Sequence, residues 1–215
     1  LQAAGFPTTR ERLAPLIGVD GLRLAREVAA LAGIALDEDT ADRIDRDSGE
    51  RYERLNQSPW PLPGVRELVE TLDARGIDWA IATSSRKEQV ATSVAAIGLL
   101  QEPRIVDASH VKHAKPEPDL LLEAAEQLGV DPAHCWYVGD ATWDMVAAVA
   151  AGMIPIAVMA GSGVDESALR GAGAAGDAPL VRERETRRVA DGVRRASADA
   201  PLHADGAREL ACRLH

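Results

Sequence analysis

Lysine is scarce in this chain of 215 residues: Lys87, Lys112 and Lys115 stand among 24 lysines and arginines in all. Aromatic side chains make up only 3 %, so a core has to be assembled from Ala, Val, Leu and Ile, which the 46 % hydrophobic fraction supplies in sufficient amount. The two cysteines, Cys135 and Cys212, exclude a disulfide framework and suit a reducing compartment, so a cytoplasmic location is expected. No stretch approaches the ~20 consecutive apolar residues of a membrane-spanning helix, and no secretory leader is visible. Positive charge is also short. The net charge of −10 argues against a nucleic-acid or anionic-membrane surface. An acidic protein that handles an anionic substrate needs a local cation and a metal, and three lysines make the search for the cation brief. Nothing in the sequence speaks to oligomeric state.

What is present divides into three parts. Residues 1–58 read as all-helical: Asp20 can cap a helix carrying Leu22, Leu24, Ala25, Val28 and Leu31, which Gly33 ends. A second helix is expected from about Asp37 to Leu55. The prolines of Pro59-Trp60-Pro61-Leu62-Pro63 then break helical structure and read as a stiff link. From Val65 helices and short apolar strands alternate. Strands are expected over 79–82, 104–107, 135–138 and 154–159, with helices between them ending at Gly76, Gly98, Gly129 and Gly152. Uninterrupted apolar strands alternating with helices are the pattern of a parallel sheet covered on both faces. After Gly171 the Arg/Ala/Asp-rich sequence has few large apolar residues, and 176–215 reads as a poorly defined, solvated or disordered tail.

Three stretches fall where strands end and helices begin, the place where open parallel sheets bind ligands. In Ala82-Thr83-Ser84-Ser85, hydroxyls and free backbone N–H groups can receive an anion, or they can simply cap the next helix. In Lys115-Pro116-Glu117-Pro118-Asp119 the prolines stiffen the backbone around a lysine able to neutralise phosphate charge. In Gly139-Asp140-Ala141-Thr142-Trp143-Asp144 two carboxylates lie one helical turn apart on one face. They can hold a hard cation such as magnesium or complement the helix dipole. His110 and His113 form a His-x-x-His pair, a weak metal signal in a loop.

Together, and in this order, these stretches resemble the second, third and fourth motifs of the haloacid dehalogenase superfamily. The helical segment 1–58 is similar to the α-helical cap of the branch containing phosphoglycolate phosphatases and β-phosphoglucomutases, and Pro61-Leu62-Pro63-Gly64-Val65 to that branch's return from cap to core. The resemblance implies a Rossmann-like α/β core over 59–175 beneath an N-terminally truncated cap over 1–58. It implies a Mg²⁺-dependent hydrolase of a small phosphorylated metabolite, working through an aspartyl-phosphate. Thr83 and Ser84 would bind the phosphoryl group, Lys115 would pair with nucleophile and phosphate, and Asp140 would hold Mg²⁺ with Asp144 in support.

The first motif, Asp-x-Asp-Gly-Thr, does not occur in the sequence, so the nucleophilic and acid–base aspartates are missing. With them goes the family's first strand, whose place is mid-sheet, between the strands ending near Thr83 and Asp140. Two buried strand edges would then lack partners, which is costly and favours reading the sequence as incomplete. The expectation is a chain without turnover. A non-catalytic phosphate-binding protein and a phosphomutase of the same superfamily are the alternatives.

Overall fold

A computed structural model describes residues 5–159, 162–174 and 209–212. After a single helical turn, α1 (Arg10–Leu13), two longer helices form by the same local device. Asp20 stays extended and its carboxylate accepts from the Arg23 N–H at 2.9 Å, which starts α2 (Gly21–Ala32). Asp37 does the same for the Thr40 N–H at 2.7 Å and starts α3 (Glu38–Leu55). Each side-chain cap satisfies an N–H left without an intrahelical partner and contributes about 1 kcal/mol. The two helices bury Ala25, Val28, Ala29 and Ile44 together with Phe6 and Leu16.

Beyond the proline-rich link come α4 (Val65–Ala74), β1 (Trp79–Ala82), α5 (Lys87–Ile97), β2 (Ile105–Val106), α6 (Asp119–Leu128), β3 (Cys135–Gly139), α7 (Thr142–Ala150), β4 (Ile154–Ala157) and α8 (Glu166–Gly171). Gly129 ends α6 at φ 78°, a left-handed conformation that costs glycine nothing and most residues about 1 kcal/mol or more. Alternate residues of the strands face opposite layers. Ala80, Ala82, Cys135 and Tyr137 pack on α6 and α7, whereas Val138 and Ile156 pack on Leu68 and Leu72 of α4. Both faces of the sheet are therefore covered, and the chain has the Rossmann-like α/β fold expected from its alternating pattern.

The sheet differs from expectation at its centre. Its order is β2-β1-β5-β3-β4, and β5 is Glu209–Cys212, from within the stretch read as a formless tail. Strand β5 runs parallel to both neighbours, with Cys212 level with Ile81 of β1 and Val138 of β3. The position expected to stand empty is filled by the chain's own C-terminal segment. The physical reason is the one that made a gap implausible: inner edges of β1 and β3 need hydrogen-bond partners, and Leu210-Ala211-Cys212 is a short apolar run suited to give them. The rest of the tail lies outside the described residues. No helix among them is long and apolar enough to cross a membrane.

Candidate functional site

Strands β1 and β3 end at candidate residues on the carboxyl edge of the sheet, and the connection from β2 to α6 supplies Lys115. At the end of β1 the Thr83 N–H donates to the Val106 carbonyl at 2.9 Å, so the backbone is still held by the sheet. The Thr83 hydroxyl then accepts from the Ser85 N–H at 3.1 Å, turning the chain toward α5. Thr83 and Ser84 are both buried, and the Ser84 hydroxyl has no hydrogen-bond partner among the described residues. An orphaned buried hydroxyl costs about 1–3 kcal/mol, a penalty that an oxygen-rich ligand or water would relieve.

Lys115 is completely buried, beside a cis peptide bond to Pro116. Its ammonium donates to Asp144 Oδ1 at 2.9 Å and to the Tyr137 hydroxyl at 3.1 Å. The Tyr137 oxygen stands 3.2 Å from the same carboxylate oxygen and 3.4 Å from the Ala82 carbonyl, linking β1, β3 and α7 in one network. Asp144 Oδ2 accepts from the backbone N–H groups of Asp140 and Ala141, at 3.2 and 3.0 Å. A buried ammonium is tolerated only when it is paired and hydrogen-bonded, and this one is. Gly139 makes the approach feasible: a Cβ there would stand 2.4 Å from the Cβ of Asp144.

These contacts separate two acids that the sequence treats as a pair. Asp144 is fully buried and both of its oxygens are occupied by Lys115, Tyr137 and backbone donors. Asp140 is half-buried at the strand end, and its backbone carbonyl accepts from the Ser162 hydroxyl at 2.7 Å. The two histidines are not joined. His110 lies 2.9 Å from Asp107 and His113 lies 3.1 Å from Asp119, and the described residues contain no group of three or more His, Cys, Asp or Glu able to hold a metal.

Sequence reasoning missed Tyr137, Asp107 and a contact made by Trp143. Tyr137 reads in sequence as one more apolar strand residue, although a phenol on an inward-facing strand position has to find a polar partner. Asp107 ends β2 and ties two elements down: Oδ2 accepts from the Lys87 N–H that opens α5, at 2.6 Å, and Oδ1 from the Ser109 N–H at 2.9 Å. Burial pushes its carboxyl up, but the donors of Ser109, Lys87 and His110 outweigh burial and hold it below the usual carboxylate value. The indole N–H of Trp143 donates to the Pro15 carbonyl at 2.7 Å, and the Arg23 guanidinium lies 5.3 Å from the indole centroid. Across the same junction Asp45 faces Arg86 at 3.5 Å; burial raises the Asp45 carboxyl against the opposing pull of Arg86.

A family model described as haloacid dehalogenase-like hydrolase matches residues 3–152. The chain belongs to this family. Its HAD-like relatives include phosphatases. The chain is 29% identical over 161 residues to an N-acetylmuramic acid 6-phosphate phosphatase of Pseudomonas aeruginosa, covering 74% of this chain and 70% of that protein. It is 32% identical over 149 residues to a phosphoglycolate phosphatase of Xylella fastidiosa, covering 68% of this chain and 63% of that protein. A hexitol phosphatase of Escherichia coli is 39% identical over 99 residues, and there the match spans just 46% of the relative. Among solved structures, a hydrolase from Pseudomonas syringae superimposes with a TM-score of 0.82 at 30% identity, covering 90% of this chain and 87% of that one. A β-phosphoglucomutase from Clostridium difficile shares the HAD-like fold with a TM-score of 0.69 at 20% identity, over 84% of this chain and 78% of that one.

Proposed function

We propose that this chain is the phosphate-binding part of a Mg²⁺-dependent phosphatase acting on a small phosphorylated metabolite. In this reading 1–58 forms the cap and 59–175, joined by β5 at the centre of its sheet, the core, and the substrate phosphate lies at the carboxyl edge of the sheet. The observation that carries the reading is the buried Lys115, held by Asp144 and Tyr137 at the strand ends where Thr83 and Asp140 also emerge. A cation kept charged in a dry site attracts a phosphate dianion far more strongly than a solvated one does.

The residues then take separate roles. Thr83 and Ser84 bind the phosphoryl oxygens, and the unpartnered Ser84 hydroxyl is a donor available for that purpose. Lys115 neutralises developing charge on the transferring group, and Asp144 acts as a positioning residue for Lys115 rather than as a metal ligand. Asp140 is left to hold the ion. Magnesium keeps several waters and takes one or two carboxylates together with substrate phosphate, so a single half-buried carboxylate beside a phosphate site fits it. When bound, the ion supplies charge neutralisation and orientation for in-line phosphoryl transfer.

Hydrolysis through an aspartyl-phosphate also needs a nucleophilic aspartate on the central strand. Strand β5, Glu209–Cys212, which holds the central place in the sheet, carries no aspartate. The chain therefore binds phosphate without turning over p-nitrophenyl phosphate. Calorimetric titration with inorganic phosphate is the test. Affinity should rise with Mg²⁺ in the native chain and lose that dependence in Asp140→Asn. Phosphate binding indifferent to Mg²⁺ in both would overturn the ion assignment, and Mg²⁺-dependent hydrolysis by the native chain would overturn the absence of turnover.

A further inference from the structure

The hydroxyl of Tyr137 is a polar group that packing does not require. The residue is completely buried on β3, two positions before Gly139, and its ring belongs to the core layer of Ala80, Ala82 and Cys135. A phenylalanine would fill the same space and ask for no partner. The hydroxyl stands 3.1 Å from the Lys115 ammonium, 3.2 Å from Asp144 Oδ1 and 3.4 Å from the Ala82 carbonyl. An ammonium can only donate, so the phenolic oxygen accepts from Lys115 and its single hydrogen turns to Asp144 or Ala82. The carboxylate is nearer and, being charged, is the stronger acceptor.

Two consequences follow from this geometry. Lys115 is shared between a charged and a neutral acceptor, and two acceptors fix the direction of an ammonium that one would leave free to swing. The Ala82 carbonyl, in turn, belongs to the same peptide unit as the Thr83 N–H, which the Val106 carbonyl holds at 2.9 Å. Tyr137 therefore touches both the cation and the peptide from which Thr83 springs. We propose that Tyr137 is a positioning residue of the phosphate site: its hydroxyl draws Lys115 out of a one-to-one pair with Asp144 and keeps the ammonium in register with the Thr83 turn. This rests on the phosphate site proposed above and separates two tasks within it. Asp144 keeps the lysine charged, and Tyr137 directs that charge without adding a negative one that would repel phosphate. The Lys115 ammonium also lies 5.8 Å from the ring centroid, a contact that phenylalanine would keep, so the hydroxyl can be tested alone.

The composition makes the test direct, because Tyr52 and Tyr137 are the two tyrosines of the chain. Tyr52 is exposed on α3 and serves as the internal reference, and Tyr52→Phe assigns the two signals. Lys87 and Lys112 are exposed, so their ammonium hydrogens exchange rapidly with water, whereas those of the buried Lys115 stay visible. With lysine labelled with ¹⁵N at Nζ and tyrosine with ¹³C at Cζ, inorganic phosphate is titrated into the full chain in the presence of Mg²⁺. The Lys115 and Tyr137 signals should move with one midpoint and Tyr52 should stay in place. Tyr137→Phe should weaken phosphate binding about tenfold, the worth of a hydrogen bond to a charged group, and should shift the Lys115 signal before any phosphate is added. A Tyr137 signal that stays still while Lys115 responds, which needs no variant, makes the phenol core filling and overturns the proposal. Native phosphate affinity in a folded Tyr137→Phe does the same. If Lys115 itself does not respond to phosphate in the native chain, the phosphate-site reading falls first and this inference falls with it.

Discussion

At the scale of single residues, buried charge decides what is structural and what remains for chemistry. Lys115 and Asp144 are each fully buried, and removing one partner of such a pair typically costs about 3–5 kcal/mol because the other is left unpaired. Tyr137 and two backbone N–H groups also donate to the carboxylate, which supports the positioning role proposed for Asp144. Asp107 illustrates the same physics in a residue without an assigned chemical role. Its folded-state carboxyl lies below the usual 3.8 despite burial, because donors from Ser109 and from the Lys87 N–H favour the charged form. A lowered folded-state value means that the stabilisation is fully present above the unfolded value and is lost as pH falls through the folded one. Urea midpoints at about pH 5 and pH 3 should therefore fall in the native chain, and Asp107→Asn should show a shallower fall from a lower starting point. An equally steep fall in the variant would place the acid sensitivity on other carboxylates.

Secondary-structure elements were the most legible part of the sequence. Asp20 and Asp37 start helices as their side chains predict, and α5, α6, α7 and strands β1 to β4 lie within a few residues of the apolar runs that foretold them. These are local matters of capping and periodicity. Illegible were contacts made across the sheet or between distant segments: the Tyr137 hydroxyl beside Lys115, and the Trp143 indole on Pro15. Residue type announces a need for a polar partner, and only the packed arrangement supplies its identity. The turn from β3 into α7 shows how tightly one element can depend on a missing side chain. A Cβ at Gly139 would meet Asp144 at three atoms between 2.4 and 2.7 Å, all within the network that holds Lys115. Gly139→Ala should destabilise the fold by about 1–3 kcal/mol, as overpacking does, and weaken phosphate binding together with it. Gly171→Ala, where an added methyl group meets nothing within 4 Å, is the matched control and should leave phosphate affinity unchanged. Native-like phosphate affinity in Gly139→Ala would show that Asp144 does not position Lys115.

For the whole molecule the governing fact is that a parallel sheet has one central place, and β5 holds it. The five-stranded order β2-β1-β5-β3-β4 puts a C-terminal strand between the two strands whose ends carry Thr83 and Asp140. Sequence reasoning located that place correctly from the family resemblance, and it expected a vacancy because four residues in an Arg-rich tail give no periodic signal long enough to read. The family's catalytic strand and β5 are thus rivals for the same pair of edges, and both cannot be seated at once. Fusing a relative's N-terminal segment, with its first strand and Asp-x-Asp-Gly-Thr motif, ahead of residue 1 should set up that competition directly. A longer strand followed by a helix buries more apolar surface than a four-residue strand, so the added strand should win. Two readouts should change together: amide hydrogens of Leu210, Ala211 and Cys212 should lose exchange protection, and Mg²⁺-dependent hydrolysis of p-nitrophenyl phosphate should appear. Hydrolysis abolished by Asp140→Asn in the fusion would tie the activity to the site described above. Protection of 210–212 that persists alongside full activity would show that β5 does not compete for the catalytic strand's place, and the account of the sheet's centre would have to be abandoned.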